Sequence, residues 1–274
     1  MTKIFQSKEN PLESVRKAGI ICCSNGLSVQ QAEKLHQLED ILKTQGITVQ
    51  YSDCIVAGID ARSGSAQQRA QSLMHFYCDS EIDAIFDVSG GDIANEILSY
   101  LDQTVLLQNK QKLFWGYSDL TVVLNAIYAM TGNLGALYHM RHYIGQHDLF
   151  SFAYSFIQGN SMQGIIIGGN IRCLLKLAGT KYFPNMQDKI LLLEARSGGV
   201  PQMITYFSQL QQLGVFDQIN GVLLGTFTQM EREQQQPTIE QLMKQFTKVP
   251  IAKTMQIGHA PDAKAIVIGK CIKL

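Results

Sequence analysis

The sequence has no net charge, no C-x-x-C pair of cysteines and no long apolar segment. Its 274 residues include 23 basic and 23 acidic side chains, so no electrostatic attraction to nucleic acid or to an anionic membrane is expected. Six cysteines are scattered along the chain, and their spacing argues against a disulfide framework or a zinc site. No apolar run approaches the ~20 residues that cross a bilayer, and the N-terminal residues lack the apolar core of a signal peptide. We therefore expect a cytoplasmic protein that binds neither nucleic acid nor membranes.

What the sequence does contain is a regular alternation of short apolar runs and helical patterns. Strands are predicted at residues 18–23, 47–56 and 82–88, and helices at 28–46, 66–78 and about 93–101. This alternation predicts the α/β class, with an N-terminal doubly wound parallel sheet that carries helices on both faces. Binding sites in such sheets lie beyond the carboxyl ends of the strands. The loops at 24–26, 89–92 and 117–119 should therefore gather along one edge.

The most informative stretch, residues 112–127, reads as a strand, a sharp turn and a helix. An apolar run breaks at Gly116, passes Ser118 and Asp119, and continues with apolar residues at helical spacing. This is the pattern of a nucleophile elbow, in which a tight bend exposes a hydroxyl above the sheet. The match to G-x-S-x-G is partial because no second glycine follows the serine. A simple helix cap by the serine or the aspartate is the competing interpretation.

The second half predicts a smaller α/β domain. After a strand at 134–140, residues 141–160 are expected to be irregular, and a boundary there divides the chain into domains 1–150 and 151–274. Further strands are predicted at 164–169, 189–195 and 220–227, helices at 171–178, 201–215 and 238–248, and strand-like runs around 258–259 and at 265–274. The spacing of His139, His142 and His147 favours surface or packing roles over metal binding.

Two residues of the second half could activate the serine. A nucleophilic serine needs a base, and the base needs a third group that holds its tautomer. His259 follows Gly258 at the end of an apolar run, and Glu194 ends the run 190–193. Taken alone, such a histidine can be an ordinary edge residue, and such a glutamate can be a surface group.

Taken together, these segments resemble the LD-carboxypeptidase family of serine peptidases, which also contains the microcin C immunity hydrolases. The nucleophile motif of that family reads G-Y-S-D-[IL]-T and matches residues 116–121. Residues 89–92 resemble its glycine-pair loop, 168–170 its second-domain loop, 192–194 the segment of its catalytic glutamate, and 258–259 the segment of its catalytic histidine. The matches occur in order and extend over nearly the whole chain.

The resemblance implies a Ser-His-Glu triad assembled across two domains. Ser118 would be the nucleophile, His259 the base and Glu194 the group that orients it. The oxyanion hole would come from the backbone N–H groups of Asp119 and Gly91. The resemblance also implies an acyl-enzyme without metal or cofactor, a homodimer, and a small muropeptide substrate from which terminal D-alanine is released.

Substrate contacts are expected from Gly90, Asn170 and Arg172 in the two family loops. Arg172 stands where a small residue is commoner in the family, and either Arg172 or Arg141 could hold a substrate carboxylate, since arginine binds carboxylates in a bidentate way. A surface role for such an arginine is equally open.

Two alternatives remain. A hydrolase of the microcin immunity type would need an aromatic platform for a purine, and the single tryptophan, Trp115, is expected to be buried in the elbow strand, although Tyr138 or Tyr143 could serve instead. A catalytically silent binding protein would keep the cleft, but the presence of all three triad residues argues against it.

Overall fold

The computed structural model describes residues 1–7 and 9–274. The strands in these residues are β1 Lys3–Gln6, β2 Lys17–Ile21, β3 Thr48–Tyr51, β4 Ala84–Asp87, β5 Leu113–Gly116, β6 Gly135–Leu137, β7 Ser151–Gln158, β8 Gln163–Asn170, β9 Lys189–Ala195, β10 Gly221–Phe227, β11 Ile251–Lys253, β12 Ile266–Ile268 and β13 Cys271–Lys273. The α-helices are α1 Val29–Glu33, α2 Leu35–Thr44, α3 Ala66–Cys78, α4 Gln103–Gln108, α5 Thr121–Thr131, α6 Ile171–Leu175, α7 Val200–Gln212, α8 Thr228–Arg232 and α9 Ile239–Phe246.

The first sheet confirms the predicted parallel arrangement. Within the described residues it has six strands in the order β12-β6-β5-β4-β2-β3, and every pair between β3 and β6 is parallel. The chain runs outward from β2 to β3 and then returns to place β4 on the other side of β2. The order therefore reverses between β2 and β4, and the loops that follow these two strands flank the crevice where such sheets bind ligands.

Alternating side chains of the central strands bury both faces of this sheet. Ile21 and Phe114 pack with α3 and α5 on one face, whereas Ile20 and Trp115 pack with α2 on the other. Because successive strand residues point to opposite faces, the continuous apolar runs of β2 and β5 are what a sheet covered on both sides requires. The predicted helices on both faces are confirmed.

The second sheet of the described residues has seven strands in the order β1-β7-β11-β10-β9-β8-β13. Its centre, β8 to β11, is parallel, and antiparallel strands close both sides. One face is covered by α6, α7 and α9. The other face contributes Ile166, Ile190 and Leu223 to the core that also contains Val122 and Val123 of α5. Helix α5, which follows the elbow, is thus packed between the two sheets.

Each end of the chain contributes a strand to the sheet formed mainly by the other half. Strand β1, near the N-terminus, pairs with β7 in the second sheet, and β12, near the C-terminus, pairs with β6 in the first. The division into residues 1–150 and 151–274 stays a prediction.

Three local predictions were wrong. Residues 141–160, expected to be irregular, contain β7, whose Phe152 and Tyr154 alternate into the core. The single helix expected at 28–46 is interrupted at Lys34, which ends α1 and precedes α2. Residues 258–259 form a loop and not a strand. No helix among the described residues is both long and apolar enough to cross a membrane.

Candidate active site

Ser118 lies at a sharp turn between β5 and α5. Its backbone is in the left-handed region, with φ +56°, a conformation that is uncommon for a residue other than glycine and that concentrates at functional sites. The turn is tight because Gly116 packs directly on Leu120, whose Cβ would lie 2.5 Å from a Cβ added to the glycine. Neither the 3₁₀ turn Ser118–Leu120 nor α5 has a side-chain cap. The half-buried Ser118 hydroxyl is therefore not used as a helix cap, and the elbow geometry is present.

Glu194 and His259 form a close pair. Glu194 lies at the carboxyl end of β9 with 0% of its side chain exposed, and its Oε2 is 2.8 Å from Nδ1 of His259. Its other oxygen, Oε1, accepts a hydrogen bond of 3.0 Å from Nδ2 of Asn170 on the neighbouring strand β8. A carboxylate buried in this way is held by its partners, because an unpaired charge in the interior is costly. Asn170 thus fixes the carboxylate that faces the imidazole.

The loop that carries His259 approaches the second sheet closely. A Cβ at Gly258 would lie 1.7 Å from Oγ1 of Thr226, so only glycine allows the histidine to reach its position. The His259 ring also packs edge-on against Tyr117, with 4.9 Å between ring centroids. Burial and the nearby Glu194 carboxylate raise the pKa of the Tyr117 hydroxyl well above its ordinary value. Neither Nδ1 nor Nε2 of His259 makes a hydrogen bond of standard geometry to a described residue, so the 2.8 Å contact with Glu194 is an ion-pair distance.

Ser118 and His259 line one cavity of about 1020 Å³. The cavity lies beyond the carboxyl ends of β2, β4 and β5, as predicted for the gathered loops. Asn25 pairs with Gly90 across its floor, and the Ser24 amide donates to Oγ of Ser89 over 3.0 Å.

The glycine-pair loop has the geometry of an anion-binding turn. Gly91 has φ +127°, and a Cβ there would lie 2.0 Å from Oδ1 of Asn25, so the loop requires glycine. No hydrogen bond to a described residue uses the backbone N–H of Gly91 or that of Asp119. Free amides next to the half-buried Ser118 hydroxyl can stabilise negative charge that develops on a substrate oxygen.

Asp87 supports this loop from below. It is the last residue of β4, and its side chain is 1% exposed. Its carboxylate accepts hydrogen bonds from the Cys23 amide at 2.7 Å and from the Ser89 amide at 2.8 Å, and a further one from the Ser89 hydroxyl at 2.5 Å. Burial raises its pKa to about 6, although the hydrogen bonds act in the opposite direction.

The cavity wall is positively charged. It is lined by Arg141, Arg196 and Arg232, and no aspartate or glutamate is among the described residues that line it. Nη2 of Arg141 lies 3.2 Å from Nε2 of His139, whereas its buried Nε has no partner among the described residues. Burial lowers the pKa of the Arg141 guanidinium. Because Arg141 lines the cavity, its guanidinium can bind an anionic ligand there.

The structure brings together part of the predicted site. Ser118, His259, Gly90 and Gly91 line the cavity, and Glu194 reaches it through His259. Asn170 instead lies buried behind Glu194. Arg172 does not line the cavity, because it forms a salt bridge with Asp92 on the glycine-pair loop.

Two histidines at the site were expected to have only surface or packing roles. His139 and His142 stack with ring centroids 4.4 Å apart, and both line the cavity. Burial, followed by the charge of Arg141, lowers the pKa of both rings, so they are neutral near pH 7. Within the described residues no group of three or more His, Cys, Asp or Glu side chains could hold a metal ion.

Comparison with known families accounts for most of the chain. Residues 18–138 match the family model of the LD-carboxypeptidase N-terminal domain, and residues 163–274 match that of the LD-carboxypeptidase C-terminal domain. The chain belongs to the LD-carboxypeptidase family. The resemblance inferred from its motifs is therefore confirmed, and the chain is a member of a family of peptidases.

Proteins with two kinds of name are similar to this chain. The probable murein peptide carboxypeptidase of Bacillus subtilis is 24% identical over 238 residues, which cover 76% of this chain and 73% of the relative. The microcin C7 self-immunity protein MccF of Escherichia coli is 25% identical over 214 residues, covering 60% and 62%. A solved structure of MccF in its inactive mutant apo state has a TM-score of 0.83 at 19% identity and covers 95% of this chain and 93% of that one. This structural similarity shows the mixed α/β fold of the family.

Proposed function

We propose that this protein is a serine LD-carboxypeptidase that releases a terminal D-amino acid from a murein peptide. The observation that carries the proposal is the position of the His259–Glu194 pair, with Nδ1 2.8 Å from Oε2, at the same cavity as the Ser118 elbow. A serine, a base and a buried carboxylate that orients the base are the three parts of a hydrolytic triad.

In the proposed mechanism, His259 takes the proton of Ser118 while Oγ attacks the carbonyl carbon of the L,D-peptide bond. The amides of Asp119 and Gly91 stabilise the oxyanion of the tetrahedral intermediate. His259 then gives the proton to the leaving amine, which is D-alanine in the favoured substrate, and an acyl-enzyme remains. Water attacks this ester with His259 as the base, and the second intermediate collapses as His259 returns its proton to Oγ of Ser118 and the shortened peptide is released. Glu194 stabilises the imidazolium in both steps.

The charge of the cavity supports a peptide with several carboxylates. A carboxypeptidase must recognise a free terminal carboxylate, and Arg141 lines the cavity beside His139 with no salt bridge to a carboxylate of the described residues. Arg172, the other predicted candidate, is already paired with Asp92. We therefore assign the carboxylate contact to Arg141, with Arg196 available to a further anionic group at the cavity, whereas Arg232 is paired with Glu233.

A second candidate is a hydrolase of aminoacyl-nucleotide conjugates, as in the microcin immunity branch. The stacked rings of His139 and His142 favour it to a degree, because they offer a flat surface at the cavity. Trp115, however, is 0% exposed and cannot stack on a purine. This absence of an available tryptophan is the reason we rank the peptide first.

Product analysis by mass spectrometry separates the two candidates. Purified protein is incubated with an L,D-tetrapeptide from murein and, in parallel, with an aminoacyl-sulfamoyl adenylate. Release of D-alanine is expected from the wild type and from Ser99→Ala, a matched change at an exposed serine, but not from Ser118→Ala. Cleavage of the adenylate alone would move the protein to the immunity branch, and turnover of neither would contradict both candidates. The homodimer and the cytoplasmic location stay predictions.

A further inference from the structure

Two basic residues of the second half reach into the loops of the first. Arg172 and Lys176 lie one turn apart, on α6 and at its C-terminal end. This short helix follows Asn170, whose side chain caps it and also holds Glu194. The basic pair therefore projects from the same segment that supports the proposed triad carboxylate.

Lys176 connects the elbow with the glycine-pair loop. Its Nζ lies 2.5 Å from Oδ1 of Asp119 and donates a hydrogen bond of 2.7 Å to the carbonyl oxygen of Asp92. Asp119 directly follows Ser118, and Asp92 directly follows Gly91. A single ammonium group thus binds the side chain of Asp119, whose own N–H is one of the two proposed oxyanion-hole donors, and the residue that follows Gly91, which supplies the other.

The Asp119 carboxylate completes the connection. It is 0% exposed, and its Oδ2 accepts hydrogen bonds from the Ser24 hydroxyl at 2.7 Å and from the Ala94 amide at 2.8 Å. This carboxylate therefore joins Ser24 and Ala94, which follow β2 and β4, to Lys176 of the second half. Arg172 adds a second, more exposed arm, since it pairs with the Asp92 carboxylate and its Nη2 donates to the Gly91 carbonyl oxygen over 3.4 Å.

We infer that Lys176 is a positioning residue that sets the spacing of the two oxyanion-hole amides. The inference rests on the proposed function, because it takes the amides of Asp119 and Gly91 as that hole. The two amides belong to loops after different strands, β4 and β5, so a group that bridges the loops is what fixes their separation. Pre-organised donors act only when they are held at the position where the oxyanion develops. Loss of Lys176 should therefore slow the chemical step and leave substrate binding nearly unchanged.

The test compares Lys176→Met and Lys176→Arg with Lys112→Met. Lys112 is also a buried lysine, but it donates to the carbonyls of Phe76, Tyr77 and Asp79. It directly precedes β5 and therefore lies at the opposite end of that strand from Ser118. The first measurement is the rate at which an alkyl fluorophosphonate modifies Ser118, a reaction that passes through a negatively charged phosphorus centre. The second is the kcat and KM for the tetrapeptide.

We expect Lys176→Met to lower the fluorophosphonate rate and kcat by about 100-fold with KM changed by less than about threefold. Lys176→Arg should recover at least about tenfold of that loss, since it restores a cation, and Lys112→Met should react like the wild type. A wild-type rate in Lys176→Met would overturn the inference, as would an equal loss in Lys112→Met. If Lys176→Met does not fold, Lys176→Gln replaces it with an expected loss of about threefold to tenfold, and no loss would refute the inference.

The two measurements also separate the two proposals. Failure of the wild type to cleave the tetrapeptide would count against the proposed substrate alone, because the fluorophosphonate reaction does not depend on it. An unchanged fluorophosphonate rate in Lys176→Met would count against the positioning role alone.

Discussion

Asp87→Asn tests how burial and hydrogen bonding compete at the base of the glycine-pair loop. The Asp87 carboxylate is buried and accepts hydrogen bonds from Cys23 and Ser89. Burial disfavours the charged form and raises the pKa, whereas the donors favour the charged form and lower it. Burial prevails, and the pKa is raised from 3.8 to about 6.

The sign and size of the effect on stability follow from this shift. The folded state binds the Asp87 proton more tightly than the unfolded state, so the stabilisation is fully present below the unfolded pKa and is lost as the pH rises through about 6. A shift of about two units corresponds to about 3 kcal/mol in the free energy of unfolding, of which about 2 kcal/mol is lost between about pH 4 and about pH 7. Asparagine cannot titrate and removes this contribution.

Urea denaturation of both proteins across this pH range measures the effect. The wild type should lose about 2 kcal/mol more of its free energy of unfolding than Asp87→Asn between about pH 4 and about pH 7. Contributions of all other titrating groups cancel in the difference. If the free energy of unfolding of the wild type minus that of Asp87→Asn does not depend on pH, the reasoning is refuted. If this quantity increases with pH, the hydrogen bonds outweigh burial.

Three further predictions concern the chemistry of the site. Glu194→Gln should lower kcat by about 10⁴-fold, since an amide cannot hold the imidazole tautomer, and steady-state kinetics measure it; a loss under about tenfold would remove Glu194 from the triad. Gly91→Ala should lower kcat by about 100-fold or more, because a Cβ there meets Oδ1 of Asn25 at 2.0 Å; Gly58→Ala, away from the cavity and with the nearest atom 3.5 Å from the added Cβ, is its control. Arg141→Met should raise KM by about 10-fold to 100-fold for a peptide with a free terminal carboxylate and far less for its amidated analogue; an equal increase for both would contradict the carboxylate contact.

The edge of the first sheet was predictable because its features are local. Each of β2, β4 and β5 ends where an apolar run meets a serine or glycine, and parallel strands bring such ends together. The loops at 24–26, 89–92 and 117–119 are accordingly joined by the Asn25–Gly90 pairing and by the contact of Ser24 with Asp119. The elbow turn followed in the same way from the order of residues around Gly116.

Other features depend on contacts that no local pattern records. Lys176 and Asp119 are 57 residues apart, and a lysine at the end of a helix looks like an ordinary surface residue. The aromatic residues of β7 were expected to be irregular because their strand partners, β1 and β11, lie far away in the chain. His139 likewise showed no sequence signal for its place beside Tyr117, which tertiary packing alone creates.

The most direct test of the account is site-specific labelling of Ser118 by a fluorophosphonate, followed by peptide mass spectrometry. A serine at an elbow reacts quickly only if a neighbouring base removes its proton. The account predicts a single adduct on Ser118 in the wild type and in Ser99→Ala, and a rate lower by at least about 10³-fold in His259→Ala. An adduct on another residue, or an equal rate in His259→Ala, would contradict the claim that His259 activates Ser118.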